Sequence, residues 1–296
     1  MNKLTTAIKN FATQENCIIG ICNTEPLPLH PEGITPFVSK DPIKRTDPTA
    51  SLPCAKSILV VGVPSKIKDY PPMPEGAGII SMLGVTEDYH TTVKTLLKKL
   101  AQELQQHTKF MYKILVDSPT LDERALAVKA GLGFIGQSGL VISKKYGSRF
   151  NIGLLLTDIP ISDVAFDLAC NDSGQLSPNL CCPTNCHKCI KACPTKALSD
   201  ASGPTRYNVA NCISYLTQKD DLTQEEATKL GRHLYGCDIC QDVCPHNPTQ
   251  PTAWARPEDW LNMTDDEFAA TYPDTPIMWR GTALLRRNAK AVIANR

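Results

Sequence analysis

The chain has 296 residues, of which 42% are hydrophobic and 21% charged, the balance of a globular protein with room for two domains. A formal net charge of +1 excludes a global electrostatic attraction to nucleic acid or membrane. No apolar run approaches the roughly 20 residues that span a bilayer, and residues 1–16 lack the apolar core of a signal peptide. We therefore expect a cytoplasmic protein with no membrane partner.

Strand-like and helix-like segments alternate as far as residue 165. Branched apolar runs predict strands, and leucines spaced three or four apart between charges predict amphipathic helices. In chain order the predictions are a strand at 57–63, a helix at 91–106, a strand at 113–116, a helix at 121–130 ending at Gly131, and strands at 140–142 and 152–157. This alternation predicts a sheet with helices packed on it.

The composition changes in the second half of the chain. Residues 181–247 are rich in cysteine, proline and polar residues, with little apolar periodicity, so metals must hold this segment together. Residues 251–296 return to a helical pattern, and we expect Trp254, Trp260 and Phe268 to anchor them to the main body. These changes predict three parts, namely 1–165, 166–250 and 251–296.

Thirteen cysteines indicate metal binding rather than disulfides, since nothing points to export. Ten of them fall between Cys170 and Cys244, and eight of these ten form two runs that both end in the spacing C-x2-C-x3-C-P. In two-cluster ferredoxins, three cysteines of such a run bind one [4Fe–4S] cluster and the fourth, before proline, binds the other. The competing interpretation is zinc, which favours isolated C-x2-C pairs and fits these runs poorly.

The ferredoxin rule assigns eight cysteines to two clusters. The first cluster takes Cys182, Cys186, Cys189 and Cys244, and the second takes Cys193, Cys212, Cys237 and Cys240. The first loop is one residue longer than usual, which leaves Cys181 as a rival to Cys182.

The segment Gly131-Leu-Gly-Phe-Ile-Gly136 matches the dinucleotide-binding pattern G-x-G-x-x-G. That pattern requires a strand before it and a helix after it, whereas here a helix precedes and a strand follows. We therefore reject nucleotide binding and interpret Gly131 as the C-cap of a helix.

Almost the whole chain resembles the epoxyqueuosine reductases. These are cobalamin- and iron–sulfur-dependent enzymes that carry out the last step of queuosine synthesis in tRNA. It resembles a short member that lacks the C-terminal helical repeats. The most specific matching segments are Cys193-Pro-Thr-Lys-Ala-Leu198, Asn211-Cys-Ile-Ser-Tyr-Leu-Thr217 and Gly236-Cys-Asp-Ile-Cys-Gln-Asp-Val-Cys-Pro245. Further matches are Arg45-Thr-Asp-Pro48, Asp88-Tyr-His90, Val116-Asp-Ser-Pro119, Ala130 to Gly136, and Leu284-Leu-Arg-Arg-Asn288.

The resemblance implies an α+β fold: an N-terminal α/β corrinoid-binding domain, a ferredoxin-like domain with two [4Fe–4S] clusters, and a short helical C-terminal segment. It implies cobalamin as a further cofactor, and five residues that line the corrinoid: Tyr89, His90, Gly131, Gly133 and Gly136. The implied partners are tRNA and a reductant of the flavodoxin or ferredoxin type, and we expect a monomer.

The resemblance also implies that Asp117 is the catalytic proton donor. Asp117 ends a predicted strand, where shielding by apolar neighbours is expected to raise the pKa of its carboxyl. The alternative from the sequence is that Asp117 or Ser118 caps the following helix. His90 likewise has an alternative as a surface or capping histidine.

The chain departs from the family at three places: Gln137-Ser138 replaces its usual Lys-Asn, Ile79 to Val85 replaces an arginine–tyrosine segment, and His246 replaces the tryptophan after the second Cys-Pro. A local basic patch lies near the end of the chain, formed by Trp279, Arg280, Arg286, Arg287, Lys290 and Arg296. Phosphate contact and an ordinary solvated helix face are equally good explanations of this patch.

Three functions are compatible with these features. The leading one is reduction of epoxyqueuosine in tRNA, with electrons passing from the two clusters to cobalt. The second keeps the corrinoid but changes the substrate, as in reductive dehalogenases. The third is an iron–sulfur electron carrier without corrinoid.

Overall fold

A computed structural model describes residues 3–29, 36–161, 181–200 and 207–296. Cys170 and the predicted boundary at 165/166 lie outside the described residues. The chain divides into two compact units, the first formed by residues 1–65 and 89–186 and the second by residues 66–88 and 187–296.

Nine strands and twelve α-helices lie in the described part of the chain. The strands are β1 (Ile18–Asn23), β2 (Ser57–Pro64), β3 (Gly78–Ile80), β4 (Tyr112–Val116), β5 (Phe134–Ile135), β6 (Val141–Ile142), β7 (Phe150–Thr157), β8 (His233–Tyr235) and β9 (Ala253–Ala255). The helices are α1 (Lys3–Gln14), α2 (Pro42–Thr46), α3 (Met82–Val85), α4 (Tyr89–Gln105), α5 (Glu123–Lys129), α6 (Lys188–Ala192), α7 (Ile213–Leu216), α8 (Gln224–Lys229), α9 (Ile239–Asp242), α10 (Pro257–Asn262), α11 (Asp265–Thr271) and α12 (Thr282–Ala294). The predicted elements of the first half are confirmed, with small shifts at their ends.

The first unit is built on a four-stranded sheet in the order β1-β2-β7-β4, with every pair antiparallel. Side chains alternate between the two faces of a strand. Leu59 and Val61 therefore join the core that contains α1 and α4, while Ile58 and Val60 join the core that contains α5. Burial on both faces explains why β2 is an uninterrupted apolar run.

Helix α4 packs on the sheet through residues three or four apart. Val93, Leu97, Leu100 and Leu104 are fully buried, and lysines occupy the exposed positions between them. Each fully buried leucine contributes roughly 1.5–3 kcal/mol relative to an exposed one. The hydrophobic stripe therefore fixes which face of α4 meets the sheet, and it places the start of the helix at the end of β4.

The glycine segment lies between α5 and the hairpin β5–β6. Gly131 has a φ of +78°, and the Leu132 amide donates to the Ala127 carbonyl at 2.9 Å, which is the C-terminal motif that favours glycine. A Cβ at Gly133 would lie 2.1 Å from the Ile142 carbonyl oxygen. The helix-then-strand order and the role of Gly131 as helix cap are confirmed.

The second unit has a three-stranded sheet in which β3 lies between β8, its parallel neighbour, and β9, its antiparallel neighbour. Trp260, Phe268 and Tyr272 pack together in its core, and the Trp260 indole donates to the Tyr272 hydroxyl at 2.9 Å. The Trp254 indole donates to the Pro71 carbonyl at 3.0 Å. These contacts anchor the C-terminal residues as expected.

Residues 66–88 belong to the second unit, which the sequence did not indicate. They supply the central strand β3 and the short helix α3, whose apolar side chains Ile80, Met82 and Val85 are buried in the core. The Ser81 hydroxyl and the Met82 amide both donate to the Asp238 carboxylate at 2.8 Å. The departure from the family at 79–85 is therefore a segment of packed core.

No helix in the described ranges combines the length and the apolar character that crossing a bilayer requires.

Asn288 should be essential to the stability of the second unit. Its side chain is fully buried and donates to the Thr217 and Leu234 carbonyls at 2.8 and 2.9 Å. Asn288→Ala removes both of these buried hydrogen bonds, which should cost about 2–4 kcal/mol and lower the melting temperature measured anaerobically. Lys290→Ala, at an exposed position on the same helix, is the matched control. Equal melting temperatures for the two variants would contradict this role.

Candidate active site and cluster loops

Three predicted site residues meet at the end of β4. Asp117 leaves the strand with a φ of +47°, which an aspartate adopts more readily than most residues. The Tyr89 hydroxyl donates to Asp117 Oδ2 at 2.7 Å, and His90 Nε2 lies 3.3 Å from the same oxygen. The Tyr89 and His90 rings stack with centroids 4.1 Å apart. The first turn of α4 therefore presents two hydrogen-bonding groups to one carboxylate.

The capping interpretation of Asp117 and Ser118 is wrong. The N-cap of α5 is Asp122, whose carboxylate accepts from the Ala125 amide at 3.1 Å. Asp117 lies five residues before this cap and is bound by Tyr89 and His90 instead. Its carboxyl is therefore not engaged in ending or starting a helix.

The expected shielding of Asp117 is also wrong for this structure. The Asp117 side chain is 65% exposed. The hydrogen bond from His90 lowers the pKa of the carboxyl, the bond from Tyr89 lowers it further, and both outweigh its partial desolvation. The sequence indicated the apolar strand before Asp117 but not the polar pair that faces it.

Glu123 is an acid beside this site that the sequence did not single out. It is the first residue of α5, and its Oε1 accepts from the Ser118 amide at 3.0 Å. Burial raises the pKa of the Glu123 carboxyl to about 8, and the nearby Asp117 charge adds to the increase. An acid in the first turn of a helix is common, so the sequence alone carried no signal.

The matched segment at Arg45 supports the turn that follows Asp117. The Asp122 amide donates to the Arg45 carbonyl at 3.2 Å, and the two largely buried side chains form an ion pair at 3.7 Å. The Ser39 amide donates to the Pro119 carbonyl at 2.7 Å. Residues 39–45 therefore fix both the turn and the start of α5.

The hairpin after the glycine segment contacts a predicted cluster ligand. The Gln137 amide donates to Cys182 Sγ at 3.3 Å, and a Cβ at Gly136 would lie 3.7 Å from the same sulfur. Cys181 is exposed, whereas Cys182 is half-buried. Only the backbone of Gln137 makes this bond, so it does not depend on the residue type that departs from the family.

Four cysteines predicted to share a cluster lie near one another in the second unit. Burial raises the pKa of the Cys237 thiol to about 12, and neighbouring Cys212 and Cys193 raise it further. Burial likewise raises the pKa of the Cys240 thiol, to which Cys237 and Cys212 contribute. In the described ranges no three metal-binding side chains converge on a single ion position. A cubane binds one cysteine at each iron, so its ligands need not converge.

The other predicted ligands differ in their local structure and exposure. Helix α6 carries the buried Cys189 and packs against α9, which carries Cys240. Cys186 and Cys244 are half-buried.

The arginines of the C-terminal patch are bound within the second unit. Arg280 pairs with Asp220, and Arg286 pairs with Asp265 at 2.8 Å. Arg287 donates to the Lys219 and Asp220 carbonyls, and Arg296 pairs with Glu258. These contacts favour an internally paired helix face over the phosphate-contact hypothesis.

The sheet unit with its exposed acid and the cysteine-rich second unit together define an iron–sulfur oxidoreductase. Residues 181–247 match the 4Fe-4S double cluster binding domain, and residues 45–118 match the family described as epoxyqueuosine reductase QueG, DUF1730. The chain is 35% identical to the epoxyqueuosine reductase of Staphylococcus aureus, over 88% of this chain and 69% of that protein. It is 34% identical to that of Lactococcus garvieae, over 88% of this chain and 74% of that protein. The chain belongs to the epoxyqueuosine reductase family.

Solved structures of the family have the same fold. An epoxyqueuosine reductase bound to an epoxyqueuosine-modified tRNA-Tyr stem loop is 27% identical, with a TM-score of 0.84 over 99% of this chain and 82% of that chain. The Bacillus subtilis enzyme, described with its catalytic aspartate loop swung out of the active site, is 28% identical, with a TM-score of 0.81 over 98% of this chain and 81% of that chain. The predicted α+β fold class is confirmed.

The raised pKa of Glu123 should make stability depend on pH. The folded protein keeps this proton up to a pKa of about 8, whereas the ordinary value is 4.5, so stability is lost as pH rises between these values. Glu123→Gln carries no titrating proton. Its melting temperature relative to the wild type should therefore increase between pH 5 and pH 8 and level off above that, measured by anaerobic calorimetry. A constant difference from pH 5 to pH 9 would contradict the raised pKa.

Proposed function

We propose that this protein reduces epoxyqueuosine to queuosine in tRNA, using cobalamin and two [4Fe–4S] clusters. The observation that carries the proposal is the convergence of Tyr89 and His90 on Asp117 in a chain of this family. The relatives are named epoxyqueuosine reductases, and one solved relative holds an epoxyqueuosine-modified tRNA stem loop.

The reaction removes the epoxide oxygen as water and consumes two electrons and two protons. Cobalamin, when bound, supplies the two-electron reductant that acts on the epoxide carbon, and the clusters supply single electrons at low potential. The protein must supply a proton at the oxygen that leaves, because an unprotonated oxygen is a poor leaving group. Asp117 is the group that we assign to this task.

Asp117 and His90 together hold the proton to be delivered. In the substrate-free structure the His90 bond favours the ionised carboxylate. A nucleotide that covers the exposed side chain removes water from it, and desolvation raises the pKa of a carboxyl. Tyr89 orients the carboxylate throughout, since its hydroxyl bonds to Oδ2. Proton delivery is thereby tied to substrate binding.

The aspartate loop of this chain is the turn after β4. The loop of the Bacillus subtilis enzyme is described as swung out of its active site. In this chain the turn at 117–122 carries Asp117 at the site and is followed directly by α5. We assign the inward position to the conformation in which Asp117 contacts Tyr89 and His90.

The hairpin β5–β6 fits the corrinoid assignment. Ile135 presents an exposed apolar side chain, and Gly136 and Gln137 approach the sulfur of Cys182. A corrinoid at this hairpin would thus lie close to a cluster ligand. The fold itself explains the glycines at 131 and 133, since Gly131 caps a helix and Gly133 packs against backbone. Of the three glycines, Gly136 is therefore the better-supported corrinoid contact.

The cluster ligands remain those given by the spacing. Cys182, Cys186, Cys189 and Cys244 bind the first cluster, and the second is bound by Cys193, Cys212, Cys237 and Cys240. Proximity among the last four supports the second set. The Gln137 bond and partial burial support Cys182 over Cys181.

The enzyme acts as a monomer in the cytoplasm, where tRNA is modified. Its electron donor is a reductant of the flavodoxin or ferredoxin type. The location follows from the tRNA substrate, and the type of donor follows from the low-potential electrons that the clusters require.

Asp117→Asn should abolish proton delivery but keep the cofactors. We expect turnover of tRNA bearing epoxyqueuosine to fall by about 10²–10⁴-fold, the usual contribution of a positioned acid. Iron content and corrinoid absorbance should equal those of the wild type. Asp266→Asn, at an exposed position in the second unit, is the control and should retain full activity. Full activity of Asp117→Asn would exclude this role.

The choice between Cys181 and Cys182 can be made from iron content. Cys182→Ser should lose one of the two clusters, so its iron per chain should fall to about half after anaerobic reconstitution, since each cube is bound by its own four cysteines. Cys181→Ser should keep both clusters. The opposite result would assign the ligand to Cys181, and a full iron content in both variants would remove this loop from the ligand set.

A further inference from the structure

The turn that carries Asp117 presents a backbone amide to a carboxyl group. The Ser118 amide, directly after Asp117, donates to Glu123 Oε1 at 3.0 Å. Asp117 adopts a φ of +47°, in the left-handed region. Successive amides around a left-handed residue form a concavity that binds an anion or an acceptor oxygen. Here the acceptor comes from the first residue of α5.

The left-handed conformation needs support from its surroundings. For a residue other than glycine this conformation is strained and persists only where neighbouring groups hold it. The Ser118 and Thr120 hydroxyls form a hydrogen bond at 2.7 Å, but both residues belong to the turn, so this bond does not connect the turn to another element. Glu123 is the group that ties the turn to a regular helix, and the buried Arg45–Asp122 pair fixes the start of that helix.

We propose that Glu123 is the positioning residue for Asp117, because its carboxyl binds the Ser118 amide in the turn that holds Asp117 against His90 and Tyr89. This inference rests on the proposed role of Asp117 as proton donor. Without this amide bond the turn would leave the inward position, and the distance from Asp117 to His90 would increase. Glu123 acts through the backbone and does not touch the substrate.

The protonation of Glu123 suits this task. The charged or titratable groups that face it are Asp117 and His90, and burial raises the pKa of Glu123 to about 8. At pH 7 the carboxyl is therefore mostly protonated, and it binds the Ser118 amide without placing a full second negative charge beside Asp117. His90 then has one carboxylate partner at the site. Glutamine is consequently the close mimic of Glu123 as it exists at neutral pH.

The test is hydrogen exchange at the Ser118 amide in the full chain with both clusters, without tRNA. Glu123→Ala should exchange about fivefold faster at this amide, the factor expected for one lost hydrogen bond. Glu123→Asp should behave like Glu123→Ala, because the shorter side chain keeps the acid but loses reach. Glu123→Gln should exchange at the wild-type rate. Glu25→Ala, which removes an exposed acid of the same unit, is the control.

Turnover provides the second readout. In Glu123→Ala and Glu123→Asp we expect kcat to fall at least tenfold with little change in KM for tRNA, and Glu123→Gln to restore kcat at pH 7. Wild-type exchange in both Glu123→Asp and Glu123→Ala would overturn the proposal. So would a Glu123→Gln variant with a protected Ser118 amide and a kcat as low as that of Glu123→Ala.

The exchange measurement separates this inference from the proposed function. It requires no reaction, so it reports on the turn even if the substrate is different. If Asp117→Asn were fully active while Glu123→Ala exchanged faster, the proton-donor role of Asp117 would be excluded. The positioning of the turn by Glu123 would still be supported. Should Glu123→Ala not fold, the comparison of Glu123→Asp with Glu123→Gln still decides the outcome.

Discussion

The left-handed backbone at Asp117 is the constraint around which the candidate active site is arranged. It turns the chain out of β4 so that the carboxylate meets Tyr89 and His90, and it aims the following amide, that of Ser118, at Glu123. Two different parts of the first unit hold these partners. The hydrophobic stripe of α4 places Tyr89 and His90, while the cap at Asp122 and its pairing with Arg45 place Glu123.

The electrostatics of the site follow from this arrangement. Two carboxyl groups on either side of one turn have pKa values shifted in opposite directions, downward for Asp117 and upward for Glu123. The exposed acid receives hydrogen bonds to its charged form, and the buried acid loses water. A site that keeps one acid charged and its neighbour neutral confines the negative charge to the group that faces the substrate.

Many of the helices and strands could be predicted from the sequence because their determinants are local. The strand at 57–63 and the helix at 91–106 each carry their own periodicity, and the order of helix and strand around Gly131 was enough to reject nucleotide binding. The cysteine spacing likewise carries its own rule. The pairing of β3 with β8 and β9, the contacts of Glu123 and the direction of the Asp117 pKa shift depend on residues distant in sequence. The pKa direction was wrong because periodicity reveals which side chains are apolar but not which polar ones approach.

The strand β3 has a consequence for how the protein can be divided. It is the middle strand of the second sheet, yet it is encoded more than 100 residues before its partners β8 and β9. A gene fragment beginning at residue 187 would leave two edge strands with no strand to pair with and would also remove Ile80, Met82 and Val85 from the core. The cysteine-rich half is therefore not a transplantable module. Recombination or truncation at its apparent boundary would separate the metal-binding loops from the strand that supports them.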